Sequence, residues 1–138
     1  MSAAKLREFH PFRSAEARVR YLARYDAQAE SWPVASETRM VGTDHGQTLV
    51  RISGPDEGPP LVLLPGAWAH SLMWPPALIR VLSERYRTYA MDNIVDFGRS
   101  VSSRSIKRTA DFMEWLDGLF DALDLAERNN LMGLSRGG

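Results

Sequence analysis

The sequence predicts an α/β fold in which a parallel sheet is covered by helices on both faces. Three observations predict it. Short apolar runs alternate with helix-length amphipathic segments in the second half of the chain. One of those runs, Leu61-Val62-Leu63-Leu64, is continuously apolar and bounded by prolines, as expected of a strand buried on both faces. An alternating pair of segments ahead of it reads as an antiparallel hairpin.

The elements follow in order. Ser14 to Trp32 is expected to be helical, because Val19, Leu22 and Tyr25 recur at helical spacing with Tyr21 beside them. Ser14 is the expected N-cap and Pro33 the stop. A basic amphipathic helix could lie on a membrane surface, but Glu16, Asp26 and Glu30 are interspersed among its arginines and favour packing on its own domain. Glu37–Thr43 and Thr48–Ser53 have strand character, joined by a turn at Asp44-His45-Gly46-Gln47 with Gly46 available for positive φ. A loop, Gly54 to Pro60, leads into the Leu61–Leu64 strand.

A helix at about Trp74 to Tyr86 tolerates Pro75 and Pro76 in its first turn and is expected to bury Leu78, Ile79, Val81 and Leu82. Arg87 to Met91 is a strand, Asn93 to Ser105 a loop turning at Gly98, and Ile106 to Leu123 a helix. Phe112, Trp115, Leu116, Leu119, Phe120 and Leu123 lie on one face of that helix. Asn130 to Gly133 is a last short strand. Residues 1–32 are thus an N-terminal segment with an amphipathic helix, and 33–138 a partial α/β domain.

Composition narrows the function. Seventeen basic residues balance seventeen acidic ones among 138, which gives no electrostatic reason for a nucleic-acid or anionic-membrane partner. There is no cysteine, so disulfides and thiolate metal sites are excluded, and a cytoplasmic location is the expectation. The N-terminal dozen residues lack the apolar stretch of a secretory signal.

The chemistry concentrates at the end of the chain. Gly133-Leu134-Ser135-Arg136-Gly137 follows a predicted strand. A serine hydroxyl is a poor nucleophile unless it is presented to a base, and a sharp strand-to-helix turn presents it. Side chains two residues either side of Ser135 would collide within such a turn, and Gly133 and Gly137 remove them. An acyl transfer also needs two N–H donors for the oxyanion. The Arg136 amide suits one, and the loop Pro65-Gly66-Ala67-Trp68 is placed to supply the other.

Three segments together resemble the α/β-hydrolases of the bacterial carboxylesterase type. They are Pro59 to Ala67 followed by Met73-Trp74, Tyr89 to Ser100 with its Asp92 and Gly98-Arg99-Ser100, and Gly133 to Gly138. The likeness reaches back through Thr43-Asp44-His45-Gly46 and covers about residues 33 to 138. It implies the N-terminal half of an α/β-hydrolase fold, with Ser135 as nucleophile, the amides of Ala67 and Arg136 as oxyanion donors, no cofactor or metal, and a small-molecule ester or similar acyl substrate. Pro65 stands where the family usually has a loop-ordering histidine.

The resemblance also places a catalytic acid and then a histidine after the nucleophile, whereas only Arg136, Gly137 and Gly138 follow Ser135 here. Of the upstream histidines, His10 lies in the polar N-terminus, His45 is expected to be solvated in its turn, and His70 could approach the mouth of the site. None is expected to be the base. Asp92 and Asp96 are expected to fix their own loop, and Trp68, Met73 and Trp74 either line an acyl pocket or belong to the core.

The expectation is therefore a piece of an intact serine hydrolase, inactive by itself and marginally stable because its last strand would have an open edge. A non-catalytic protein that pairs this edge with another chain is the alternative. A phosphate-binding module is disfavoured, because Gly137-Gly138 lacks the Lys-Ser/Thr ending of a P-loop.

Overall fold

A computed structural model describes residues 11–66, 69–127 and 129–134. Helix α1 (Ala15–Ala29) opens the described chain. The hydroxyl of Ser14 caps it by accepting the Ala17 N–H at 3.0 Å. Leu22 and Tyr25 face inward, whereas Val19 is 66% exposed and does not belong to the buried stripe. Only one edge of this helix meets the protein, so the buried stripe is narrower than the apolar spacing suggests.

Strands β1 (Ser36–Thr43) and β2 (Gly46–Ser53) pair antiparallel with Thr43 opposite Gly46, which leaves a two-residue turn, Asp44-His45. Gly46 has φ +136°, and a Cβ there would lie 2.0 Å from the carbonyl oxygen of Val101. Glycine is needed as much for that close approach as for the turn. His45 is only 5% exposed, contrary to its expected solvation. Its carbonyl accepts the Ser103 N–H and its Nε2 lies 3.7 Å from Glu114.

The remaining strands are β3 (Pro60–Leu64), β4 (Arg87–Met91), the two-residue β5 (Val101–Ser102) and β6 (Asn130–Gly133). The sheet order is β1-β2-β4-β3-β6, with β5 paired to β2. β3 is parallel to both β4 and β6, and β2 is antiparallel to β4.

Helix α2 (Pro76–Arg85) connects β3 to β4, and helix α3 (Thr109–Ala122) connects β4 to β6. The first crossover moves one way along the sheet and the second moves back past β3. Right-handed crossovers running in opposite directions place their helices on opposite faces. That is the arrangement seen. Ile79 of α2 packs with Leu61, Leu63 and Ala90 on one face. Trp115, Leu116 and Leu119 of α3 pack with Val50, Ile52, Val62, Leu64 and Met91 on the other. Helix α1 shares the α2 face, with Leu22 and Tyr25 against Leu49 and Leu72. Val81 of α2 is 64% exposed and is not part of the buried stripe, because α2 covers the sheet through Ile79 with Leu78 and Leu82 at its margins. Trp74 is buried in the same cluster, as core.

Candidate active site

The connections from β3 and β4 leave the sheet toward opposite faces, so a crevice opens between their carboxyl ends. In open α/β sheets this is where ligands bind. The two loops that meet there are 65–75 and 92–108.

Asp92 follows the last residue of β4 and is fully buried. Its carboxylate accepts three hydrogen bonds. One oxygen takes the Ser71 N–H at 2.7 Å. The other takes the Tyr25 hydroxyl at 2.8 Å and the Arg99 N–H at 2.8 Å. Asn93, also fully buried, donates from Nδ2 to the Pro65 carbonyl at 3.2 Å and to Asp96 at 3.2 Å. Two consecutive residues thus hold both ends of the segment that follows β3. A buried carboxylate is tolerable only with such donors around it.

Gly98 makes this geometry possible. Its φ is +141°, and a Cβ there would fall 2.6 Å from Asp92 Oδ2. The Ser100 hydroxyl donates to the Asp92 carbonyl at 2.7 Å and accepts the Leu49 N–H at 3.0 Å, which ties the same loop to β2.

Charge and burial set the protonation states around Asp92. Burial, with the negative charge of Asp92 added, pushes the Tyr21 phenol up to about 12. The same two causes raise Tyr25 further, so it remains a neutral donor. Burial lowers His70 below the ordinary histidine value; Asp92 opposes that shift and Arg51 adds to it. A neutral imidazole also fits its contacts, because Nδ1 accepts the Leu72 N–H at 3.1 Å.

The last described residues run straight to this place. β6 pairs Gly133 with Leu64, and the Leu134 N–H donates to the Leu64 carbonyl at 3.3 Å. The residue before Ser135 is therefore bonded to the residue before Pro65. Of the predicted site residues, Gly133 ends β6, while Ser135, Arg136, Gly137 and Ala67 lie outside the described residues, as do His10 and Trp68. Sequence reasoning anticipated Asp92 as a loop-fixing residue and missed Tyr25, Ser71 and Asn93. The available signal was the Asp92-Asn93 pair, two polar residues directly after a strand buried to its end. No cluster of three metal-ligating side chains occurs among the described residues.

An antiparallel hairpin leading into parallel strands, helices on alternate faces and polar loops gathered at the strand ends define part of an α/β-hydrolase fold. In sequence the chain is bacterial-carboxylesterase-like. It is 41% identical over 127 residues to Carboxylesterase YbfK of Bacillus subtilis, covering 92% of this chain and 42% of that protein. It is also 41% identical over 120 residues to the uncharacterized carboxylesterase nap of the same organism, covering 87% and 39%.

Solved structures agree. Carboxylesterase CesB (YbfK) of B. subtilis superposes with a TM-score of 0.85 at 40% identity, over 89% of this chain and 42% of that one. The naproxen esterase of B. subtilis gives 0.82 at 38%, over 91% and 43%. An epoxide hydrolase from Pseudomonas aeruginosa, at 24% identity and a TM-score of 0.65, shares the fold alone. No family model matches the chain. The chain spans about two fifths of the length of the curated relatives it matches.

Proposed function

We propose that this chain carries the nucleophile and the oxyanion loop of a serine carboxylic-ester hydrolase that works through an acyl-enzyme. The observation that carries the reading is the parallel register of β6 on β3. It brings Gly133 and Leu134, the residues that lead into Ser135 in the sequence, to the carboxyl end of β3, beside Pro65. Carboxylesterases among the relatives support the substrate class.

In this reading Ser135 Oγ attacks the ester carbonyl as a base removes its proton. The amides of Ala67 and Arg136 stabilise the oxyanion, and the leaving alcohol takes the proton back. Water then repeats the sequence on the acyl-enzyme. Gly133 and Gly137 keep the elbow free of side chains, and no cofactor enters any step.

The base is neither His45 nor His70. A triad histidine donates from Nδ1 to a carboxylate, whereas Nδ1 of His70 accepts from the backbone. His45 is buried at the hairpin turn, where its carbonyl accepts the Ser103 N–H and its Nε2 lies 3.7 Å from Glu114 of α3. The reading takes acid and histidine in the order that the resemblance implies, both after Ser135.

The test is p-nitrophenyl ester turnover and fluorophosphonate labelling of the protein expressed from its complete gene. Ser135→Ala should abolish labelling and lower kcat by at least about 10³-fold. The 138-residue chain alone should show no turnover above its Ser135→Ala control. Wild-type activity that survives Ser135→Ala would refute the assignment.

A non-catalytic role through the edge of β6 is the second reading. Among the described residues β6 pairs only with β3, and Leu131 is 52% exposed. A partner polypeptide that restores hydrolysis on mixing would assign that edge to assembly of the enzyme; a stable complex without activity would favour the non-catalytic role.

A further inference from the structure

Tyr25 comes from the N-terminal helix, distant in sequence from both active-site loops, yet its hydroxyl sits at their junction. It donates to Asp92 Oδ2 at 2.8 Å, lies 3.2 Å from the Ser71 hydroxyl and accepts from Arg51 Nη2 at 3.1 Å. Its ring meets the His70 imidazole edge-on at 4.9 Å. Asp92 in turn holds the Ser71 and Arg99 amides, and the Arg99 side chain returns to helix α1 through Asp26, with Nε to Oδ1 at 3.0 Å.

Helix α1 therefore touches the crevice loops through both members of one network. Asp92 has no lysine or arginine side chain bonded to it in this network; its donors are two amides and one phenol. Loss of the phenol leaves a buried carboxylate oxygen with a single donor, which favours rearrangement of whatever that carboxylate holds.

We propose that Tyr25 is a positioning residue for the segment after β3, holding its far end at Ser71 through Asp92 while Asn93 holds its near end at Pro65. Its catalytic consequence rests on the reading of the Gly66 turn as the oxyanion loop. Donors to an oxyanion must be fixed before the charge develops, so a loop clamped at both ends serves that role and a loop released at one end serves it poorly. Tyr25 itself touches no reacting atom. It acts through Asp92.

Hydrogen exchange on the protein expressed from its complete gene, wild type against Tyr25→Phe, tests the clamp. Phenylalanine keeps the ring against His70 and Leu72 and removes only the hydroxyl. Exchange in peptides spanning residues 69–73 and 96–100 should rise about tenfold, with the β3 and β4 peptides unchanged, because local opening is read residue by residue. Unchanged exchange in 69–73, or a rise spread equally over the strands, would overturn the proposal.

The second arm is ester turnover. Tyr25→Phe should lower kcat about tenfold and leave KM within about twofold, the pattern of an interaction that matters in the transition state. Faster exchange with kcat unaltered would overturn the catalytic role. A wild-type protein without esterase activity would refute the functional reading instead, and exchange alone would then decide the clamp.

Discussion

Two residues at the crevice carry opposite lessons about substitution. Gly98 lies at φ +141° against the Asp92 carboxylate, so Gly98→Ala combines backbone strain with a direct collision. It should cost at least about 1 kcal/mol in a denaturant melt and loosen the Ser71 amide. A melt within error of wild type would show that the loop re-forms without its present geometry.

His70 tolerates one replacement and reports pH. Burial holds its pKa below the ordinary 6.5, so the unfolded chain takes up a proton that the folded chain resists. Stability is fully present above about pH 6.5, falls as the pH drops below that value, and levels off beneath the folded pKa. In His70→Asn the amide oxygen can still accept the Leu72 N–H but cannot titrate. Its melting temperature should be less sensitive to acid below about pH 6.5 than that of wild type.

Among the elements, α3 depends on one polar contact within an apolar face. Trp115 is fully buried and donates from Nε1 to the Thr48 hydroxyl of β2 at 2.8 Å. Thr48→Val keeps the shape and leaves the indole N–H buried without an acceptor, so a loss of about 1–3 kcal/mol is expected in a urea melt.

The elements also differ in how far they could be read from sequence. β4 and β6 were expected at the bounds observed and β3 to within a residue, but only β3, through Leu61–Leu64, carries the continuous apolar run of a strand covered on both faces. β5 was not legible. Val101-Ser102 has no pattern of its own and exists because Gly46 admits its backbone. Val19 and Val81 were misplaced because apolar spacing marks the centre of a buried stripe and not its width. His45 was misplaced because its cover comes from α3 and β5, distant in the chain. Tyr25 was recognised as buried, but its hydroxyl meets a carboxylate 67 residues away, and no local pattern encodes such a partner.

For the molecule as a whole, the edge beyond β3 decides how the 138-residue chain behaves by itself. Leu131 and Leu134 are 52% and 50% exposed on or next to a strand whose outer edge is unpaired among the described residues. Such an edge is a template for association. The chain alone should self-associate in light scattering, and Leu131→Lys should reduce that association. A monomer at all concentrations, with a cooperative urea melt of normal slope, would show that this edge is harmless.

The guanidinium of Arg51, buried beneath α1, stacks 5.4 Å from the Trp32 ring and 5.8 Å from that of Tyr25, with Nε unsatisfied among the described residues. Its hydrogen bond runs to the Tyr25 hydroxyl. The leading helix is therefore the roof over an interior cation. An expression boundary drawn at Pro33 would strip that roof, flood the cation with solvent and deprive Asp92 of its phenol at the same stroke. Trimming the leading helix would thus reach the crevice directly, through the contacts that Tyr25 and Asp26 make with its loops.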